Sequence, residues 1–217
     1  TNFFGGAPAN VACALRKLKI DSIFIGRLGS DNFGKKFIKQ FNELEVNLDF
    51  LQLDNDLPTR VVNVDRDQFG DRFFSGFEES PHSCFADEAL SKQLIEQELQ
   101  NLETFFLETQ YFVTGTIVLS SQKSAETTFF LLQQANKFDV KIIIDLNWRE
   151  VFWDYSSFSS EISKTERVKL IKKFLNHAHV LKLSKEEATL FFEHENPSLI
   201  SKQMLNKPDV IITDGGN

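Results

Sequence analysis

Five segments of this chain carry residues that could hold an oxygen-rich small molecule and act on it. In Gly5-Gly6-Ala7-Pro8-Ala9-Asn10-Val11-Ala12, two glycines precede a proline suited to a helix's first turn. Main-chain N–H groups there lie open to a ligand, and Asn10 adds a donor and an acceptor. Thr114-Gly115-Thr116, Asp145-Leu146-Asn147-Trp148-Arg149, Lys182-Leu183-Ser184 leading to Glu187, and Thr213-Asp214-Gly215-Gly216 each follow a short apolar run. Asn147 and Arg149 together could recognise hydroxyls and developing phosphate charge, since arginine is a fixed fork of donors that stays ionised. Plainer readings stand beside these. A Gly-Gly-x-Pro run also makes a tight loop before a buried helix, and a lone Asp or Asn is more often a cap or turn former. By the same plain reading Glu187 is a solvated helix residue, Arg149 pairs with Asp145 or Glu150, and Trp148 and Trp153 pack their loop. The weight lies in the coincidence of four such segments at strand ends.

Those ends are predicted by an alternation of periods. Phe33, Phe37, Phe41 and Leu44 recur at helical spacing after Asp31-Asn32, and Ser22 to Ile25 reads as a short strand entering Gly26. Further strands are expected at Tyr111 to Thr114, Lys141 to Asp145, Val180 to Leu183 and Val210 to Thr213. Helices are expected at Ser124 to Lys137, near Val168 to Ala178, and at Lys185 to Glu193. This is the rhythm of a parallel sheet covered by helices, in which ligands bind outside the carboxyl ends of the strands. Thr59 to Val64 and Arg72 to Phe77 break the rhythm as extended runs around Asp65-Arg66-Asp67-Gln68-Phe69-Gly70-Asp71, a hairpin outside the main sheet. Asp87 to Asn101 reads as one exposed helix rich in Glu and Gln.

Composition narrows the function. The 217 residues, 41% of them hydrophobic, suffice for a substantial core, and one main domain is expected. A formal charge of −7 with no Lys/Arg block argues against nucleic acid and anionic membranes. No apolar run approaches the roughly 20 residues of a membrane span, and no signal peptide precedes Thr1, so a cytoplasmic location is expected. Cys13 and Cys84 have no metal-ligand spacing and read as reduced thiols. His177 and His179 sit at an expected helix end and read as a helix-terminal charge. The 23 phenylalanines are assigned to the core and helix faces. Neither GxxxxGK[ST] nor GxGxxG occurs, which removes P-loop and dinucleotide readings.

The segments together resemble the PfkB, or ribokinase-like, family of carbohydrate kinases, closest to its fructokinase branch, over nearly the whole chain. Phe4 to Ala12 looks like the family's amino-terminal signature, and Ile25-Gly26-Arg27-Leu28-Gly29-Ser30-Asp31-Asn32-Phe33-Gly34 like its continuation, "GxxGxDxxG". Lys19 stands where a small Gly or Ser is usual. Asp145 to Trp153 is similar to "DPNxRxxLW", with Leu146 for Pro. Lys182 to Glu187 is similar to "KxNxxE", with Ser184 for Asn.

This resemblance implies a doubly wound, mostly parallel α/β domain over residues 1–217 with a small β lid near 59–77, which would close over the sugar and leaves room for a homodimer through it. It implies that Gly5, Gly6, Asn10, Asn147 and Arg149 face the sugar, with Arg149 catalytic at the transferred phosphoryl group. Lys182, Ser184, Glu187, Thr213 and Gly215 would face ATP and Mg2+, Glu187 serving the metal. The activity implied is ATP-dependent phosphorylation of a sugar hydroxyl, fructose to fructose 6-phosphate. A kinase for another sugar or a nucleoside, and a noncatalytic sugar-binding or interaction relative, remain as alternatives. Family members also carry a sugar-binding Asp before the first signature and a "GAGD" motif, with the base, after "TxGxxG". The chain is therefore expected to be an internal fragment, and none of its own Asp residues is given the role of base.

Overall fold

The computed structural model describes residues 4–66, 72–77, 84–150, 153 and 163–215. Its contacts divide the chain into two compact units, Thr1–Leu90 and Ser91–Asn217.

The first unit opens with helix α1 (Ala7–Lys17), entered from Gly6 at φ 101° with Pro8 in the first turn and Arg16 and Lys17 in the last, where cations suit the helix dipole. The helix ends by passing the N–H of Lys19 to Arg16 O and that of Ile20 to Leu15 O, with Lys19 left-handed at φ 61°. This is the helix stop that favours glycine, which explains the small residue usual there. Ala9, Ala12 and Cys13 pack on Phe41 and Val46, inside a rim that includes Phe24 and Phe37.

Strand β1 (Gly26–Gly29) pairs in parallel with β2 (Leu51–Asp54). The strand expected at Ser22 to Ile25 is thus displaced by four residues, and only Ile23 bridges outward, to Asn47. The β-branched run lacks a ladder partner, whereas Gly26 to Gly29 lies in register with β2, so pairing overrides propensity. Arg27 reinforces the pair through Nε and Nη2 to Asp54 Oδ2 at 2.9 and 2.6 Å.

Helix α2 (Asn32–Glu43) starts on Asp31, whose Oδ1 accepts from Gly34 N at 2.8 Å and whose Oδ2 accepts from Thr59 N at 2.6 Å. Burial opposes the Asp31 charge, but the N–H groups of Gly34 and Thr59 outweigh it and hold its pKa below the usual carboxylate value. A Cβ on Gly34 would stand 1.9 Å from Gly29 O, so the "GxxGxDxxG" spacing is a close-packed junction of strand, helix and the Thr59 segment.

Strands β3 (Val62–Arg66) and β4 (Arg72–Phe77) pair antiparallel, apart from the parallel ladders. Their register shifts between Asn63 and Val64, opposite Gly76 at φ 144°. The turn expected between them lies outside the described residues. At the root of the pair Arg60, 7% exposed, meets Asp87 at 2.9 Å and Glu88 at 2.8 Å, and lies over the rings of Phe77 and Phe85.

In the second unit the expected single exposed helix is broken. A 3-10 turn (Ala86–Ala89) leads from the first unit toward α3 (Lys92–Gln97), capped by Ser91, and after Glu98 comes α4 (Leu99–Glu108). Ile95, Leu102 and Phe106 are buried, an apolar stripe hidden in the sequence by the Glu and Gln around it. Four parallel strands follow in the order β5 (Tyr111–Gly115), β6 (Lys141–Asp145), β7 (Val180–Ser184), β8 (Asp209–Thr213). The intervening helices are α5 (Gln122–Lys137), α6 (Lys164–Leu175), α7 (Lys185–Phe192) and α8 (Pro197–Gln203). Ile142, Ile144, Leu181 and Leu183 are fully buried beneath them. Among the described residues no helix is long and apolar enough to cross a membrane.

Helix α6 starts earlier than its apolar spacing suggests, on the reciprocal cap of Ser163 and Glu166, and stops at Asn176. The histidines beyond it make contacts that their place at a helix end does not foretell. His179 Nδ1 accepts from the backbone N–H of Ile142 at 3.0 Å, which places the ring proton on Nε2, and the backbone N–H of His179 donates to Ile142 O at 2.8 Å. His177 Nδ1 meets Asn136 Nδ2 at 3.3 Å. Burial, aided by Lys173 near His177 and Lys141 near His179, pushes both pKa values below 6.5.

A histidine whose folded pKa is depressed adds stability that is complete above its unfolded value and is lost as pH falls through the folded value. His179→Ala should therefore lower the melting temperature at pH 7.5 by a few degrees, from about 1 kcal/mol for one lost acceptor. It should also flatten the fall in melting temperature between pH 7 and pH 5, measured by differential scanning fluorimetry.

Candidate functional site

All four strands of the second unit's sheet deliver their carboxyl ends to one edge, because parallel strands can do nothing else. From β5, Thr116 Oγ1 donates to Leu146 O at 2.6 Å, and a Cβ on Gly115 would stand 3.0 Å from Asp145 O. Leu146 is fully buried and its N–H donates to Lys182 O at 2.9 Å. A proline at this position would bring no such donor, so the departure from the family's pattern adds a bond between β6 and β7. Asn147 follows at φ 40°, a left-handed conformation that Asn tolerates better than most side chains.

Asp145 does not bind Arg149. Its two carboxylate oxygens each lie 3.0 Å from Lys182 Nζ, on the neighbouring strand. Glu150 meets Lys164 at 3.0 Å. Arg149 is exposed, and the contact recorded for its guanidinium is Nη1 to Trp148 O at 3.5 Å. The pairing of Arg149 with Asp145 or Glu150, weighed as the plainer reading, is thus replaced by other partners for both acids. Trp148 packs as expected, its ring 5.5 Å from Trp153 and 5.6 Å from Phe191 between centroids.

Ser184 and Glu187 begin α7 as a reciprocal cap. Glu187 N donates to Ser184 Oγ at 3.2 Å, and Ser184 N donates to Glu187 Oε2 at 2.8 Å. Glu187 is half-buried, not a solvated helix residue, and its Oε1 accepts the N–H of Trp148 at 2.6 Å. The sequence missed this contact, because nothing local links residues 39 positions apart. From β8, Thr213 Oγ1 reaches Leu183 O at 3.5 Å, Asp214 pairs with Lys185, and Gly215 is left-handed at φ 56° with open space where a Cβ would stand. Lys182, Ser184, Glu187 and Thr213 are therefore joined by strand register and short contacts, with Gly215 two residues beyond Thr213.

In the first unit Gly5, Gly6 and Asn10 are exposed at the start of α1, where Asn10 N donates to Gly6 O at 2.9 Å. A Cβ on Gly5 would touch nothing, and one on Gly6 would come no nearer than 3.9 Å to Ala9 Cβ. The glycines therefore leave the helix N-terminus uncovered.

Among the described residues no three His, Cys, Asp or Glu side chains gather to hold a metal ion. Glu187 still suits a hard cation, since each of its oxygens accepts one N–H and keeps further acceptor capacity. A single carboxylate with phosphate oxygens and waters is the donor set magnesium commonly takes.

A model of the pfkB family of carbohydrate kinases matches residues 1–217. The fructokinase of Salmonella typhimurium is 29% identical over 183 residues, 84% of this chain and 53% of that protein. The fructokinase of Xylella fastidiosa with bound ATP aligns with a TM-score of 0.78 and 26% identity over 98% of this chain and 63% of its own. That of Vibrio cholerae O395, in a form with fructose, ADP and calcium ion bound, aligns with a TM-score of 0.77 and 27% identity over 97% of this chain and 63% of its own. The chain thus spans about half the length of the Salmonella relative and under two thirds of the two solved chains. With its parallel sheet, its helical layers and a family match over every residue, the chain belongs to the pfkB family of carbohydrate kinases.

Proposed function

We propose that the protein is an ATP-dependent sugar kinase of the cytoplasm that phosphorylates fructose to fructose 6-phosphate. The observation that carries this reading is Arg149, whose exposed guanidinium follows the carboxyl end of β6 while Asp145 and Glu150 are engaged by lysines. A cation so placed suits charge that grows as a phosphoryl group moves. The fructokinase relatives, with ATP or with fructose and ADP bound, support the nucleotide and the acceptor.

In this reading Gly5, Gly6, Asn10 and Asn147 bind sugar hydroxyls, and Arg149 attracts the phosphoryl oxygens in the transition state. Lys182, Ser184, Glu187, Thr213 and Gly215 receive the nucleotide. Magnesium, held through Glu187 and the phosphates, would supply charge neutralisation on the β- and γ-phosphates. The β3–β4 pair covers the acceptor and keeps out water, which would otherwise compete for the phosphoryl group. The enzyme's task is mainly one of position, since an in-line hydroxyl gains most from being held near the γ-phosphate.

Coupled measurement of ADP release by the full-length protein tests this reading, with fructose, ribose, 2-keto-3-deoxygluconate and adenosine as acceptors. Fructose is expected to give the highest kcat/KM. Absence of turnover with every acceptor would overturn the kinase, and a higher kcat/KM with another would reassign the acceptor.

Asn10→Ala should weaken sugar use more than ATP use, by about 1 to 3 kcal/mol for a lost hydrogen-bond partner, read from KM for each substrate. Arg149→Lys should lower kcat more than it raises KM for sugar, by about 2 to 4 kcal/mol in the barrier, because lysine keeps the charge and loses the fork. Steady-state kinetics and melting temperature on one preparation check it, and an unchanged kcat in folded protein removes Arg149 from the chemistry.

A further inference from the structure

Glu187 does more than its helix requires. A reciprocal cap needs one carboxylate oxygen, and Oε2 fulfils it by accepting from Ser184 N at 2.8 Å. The other oxygen, Oε1, accepts at 2.6 Å from the N–H of Trp148, in the segment between Asn147 and Arg149. A bond to an ionised acceptor at this length is of the strong, charge-assisted kind. The same helix grips Trp148 a second time, since Phe191, one turn beyond Glu187, lies edge-on to the indole at 5.6 Å. Fixing the N–H of Trp148 fixes the peptide plane between residues 147 and 148, and with it the ψ of Asn147. Asn147 sits at φ 40°, a strained conformation that persists only where its surroundings dictate it.

We infer that Glu187 is a positioning residue. It holds the Asn147–Trp148 peptide so that the left-handed turn presents Asn147 and Arg149 outward, and it thereby links the helix assigned to the nucleotide with the loop assigned to the acceptor. This rests on the kinase reading only for its effect on turnover. The mechanical link stands on the two hydrogen bonds and the ring contact.

Glu187→Gln is the discriminating variant, because an amide has one oxygen for two N–H donors and nearly the same shape. In this chain, without substrate or metal, it should raise acrylamide quenching of Trp148 above that of the parent and change the near-ultraviolet dichroism of the Trp148–Trp153 pair. The far-ultraviolet spectrum should be preserved. In the full-length protein Glu187→Gln should lower kcat about 10- to 100-fold, the usual scale for a group that orients another. Adding it to Arg149→Lys should lower kcat by less than about threefold further, because residues acting as one unit are not additive. If Glu187 serves only the metal, the two effects multiply, high magnesium restores the single variant, and tryptophan quenching stays at the parent value. That pattern would overturn the inference. Altered quenching with no turnover by the parent protein would leave the link standing and remove the kinase reading instead. Should Glu187→Gln fail to fold, Glu187→Asp, which keeps the charge and shortens the reach, is read by the same quenching and double-variant measurements.

Discussion

The candidate site hangs on the way the parallel sheet ends at Leu146. Its carbonyl takes the hydroxyl of Thr116, the residue after β5, on one side, and its N–H goes to Lys182 O on the other. With the side chain fully buried, the residue is held from three directions. One position later the backbone turns left-handed and the polar residues begin. A loop that carries an exposed arginine needs such a boundary, because long side chains on an unfastened backbone lose the geometry that makes a guanidinium selective. The Asp145–Lys182 pair, just before the boundary, gives the last rung of β6 and β7 an ionic tie.

Charges in the first unit follow the same logic at a different place. Asp54 and the Arg60 side chain are buried and Asp31 is partly buried, and each is matched by partners that answer its charge or its lone pairs. Asp31 holds a helix start and Thr59, while Asp54 holds Arg27 and the N–H groups of Asp56 and Leu57. Removing one member of such a set leaves an uncompensated buried charge, which is far more damaging than losing the whole set. These groups therefore act as pins at the junctions between strands, helix and hairpin.

Much of this was legible in the sequence wherever a signal was local. The strand Lys141–Asp145 matches its expected bounds, and β5, β7 and β8 differ from theirs by one residue at one end. The glycine spacing from Gly26 to Gly34 marked a real junction, although its reason, contact with the Thr59 segment, lies 30 residues on. What local signals missed was decided by distant partners. The β-branched run at Ile23 had no ladder to join, and the stripe of Ile95, Leu102 and Phe106 was masked by Glu and Gln. His179 looked like a surface cation because its acceptor role depends on Ile142, from another strand. Glu187 and Trp148 belonged to two different motifs, and no spacing rule joins motifs across a sheet.

Arg60 has a consequence for how this fold diversifies. The β3–β4 pair sets out just after that residue, and Phe85, Asp87 and Glu88, which follow the pair in the chain, close on the same guanidinium. An excursion whose flanks meet on one guanidinium can change in length and composition while that anchorage stays put, because the entropy of closing a loop grows only logarithmically with its size. Lineages descended from one ancestor could therefore rewrite the hairpin freely and leave the helix and strand packing beneath it as inherited.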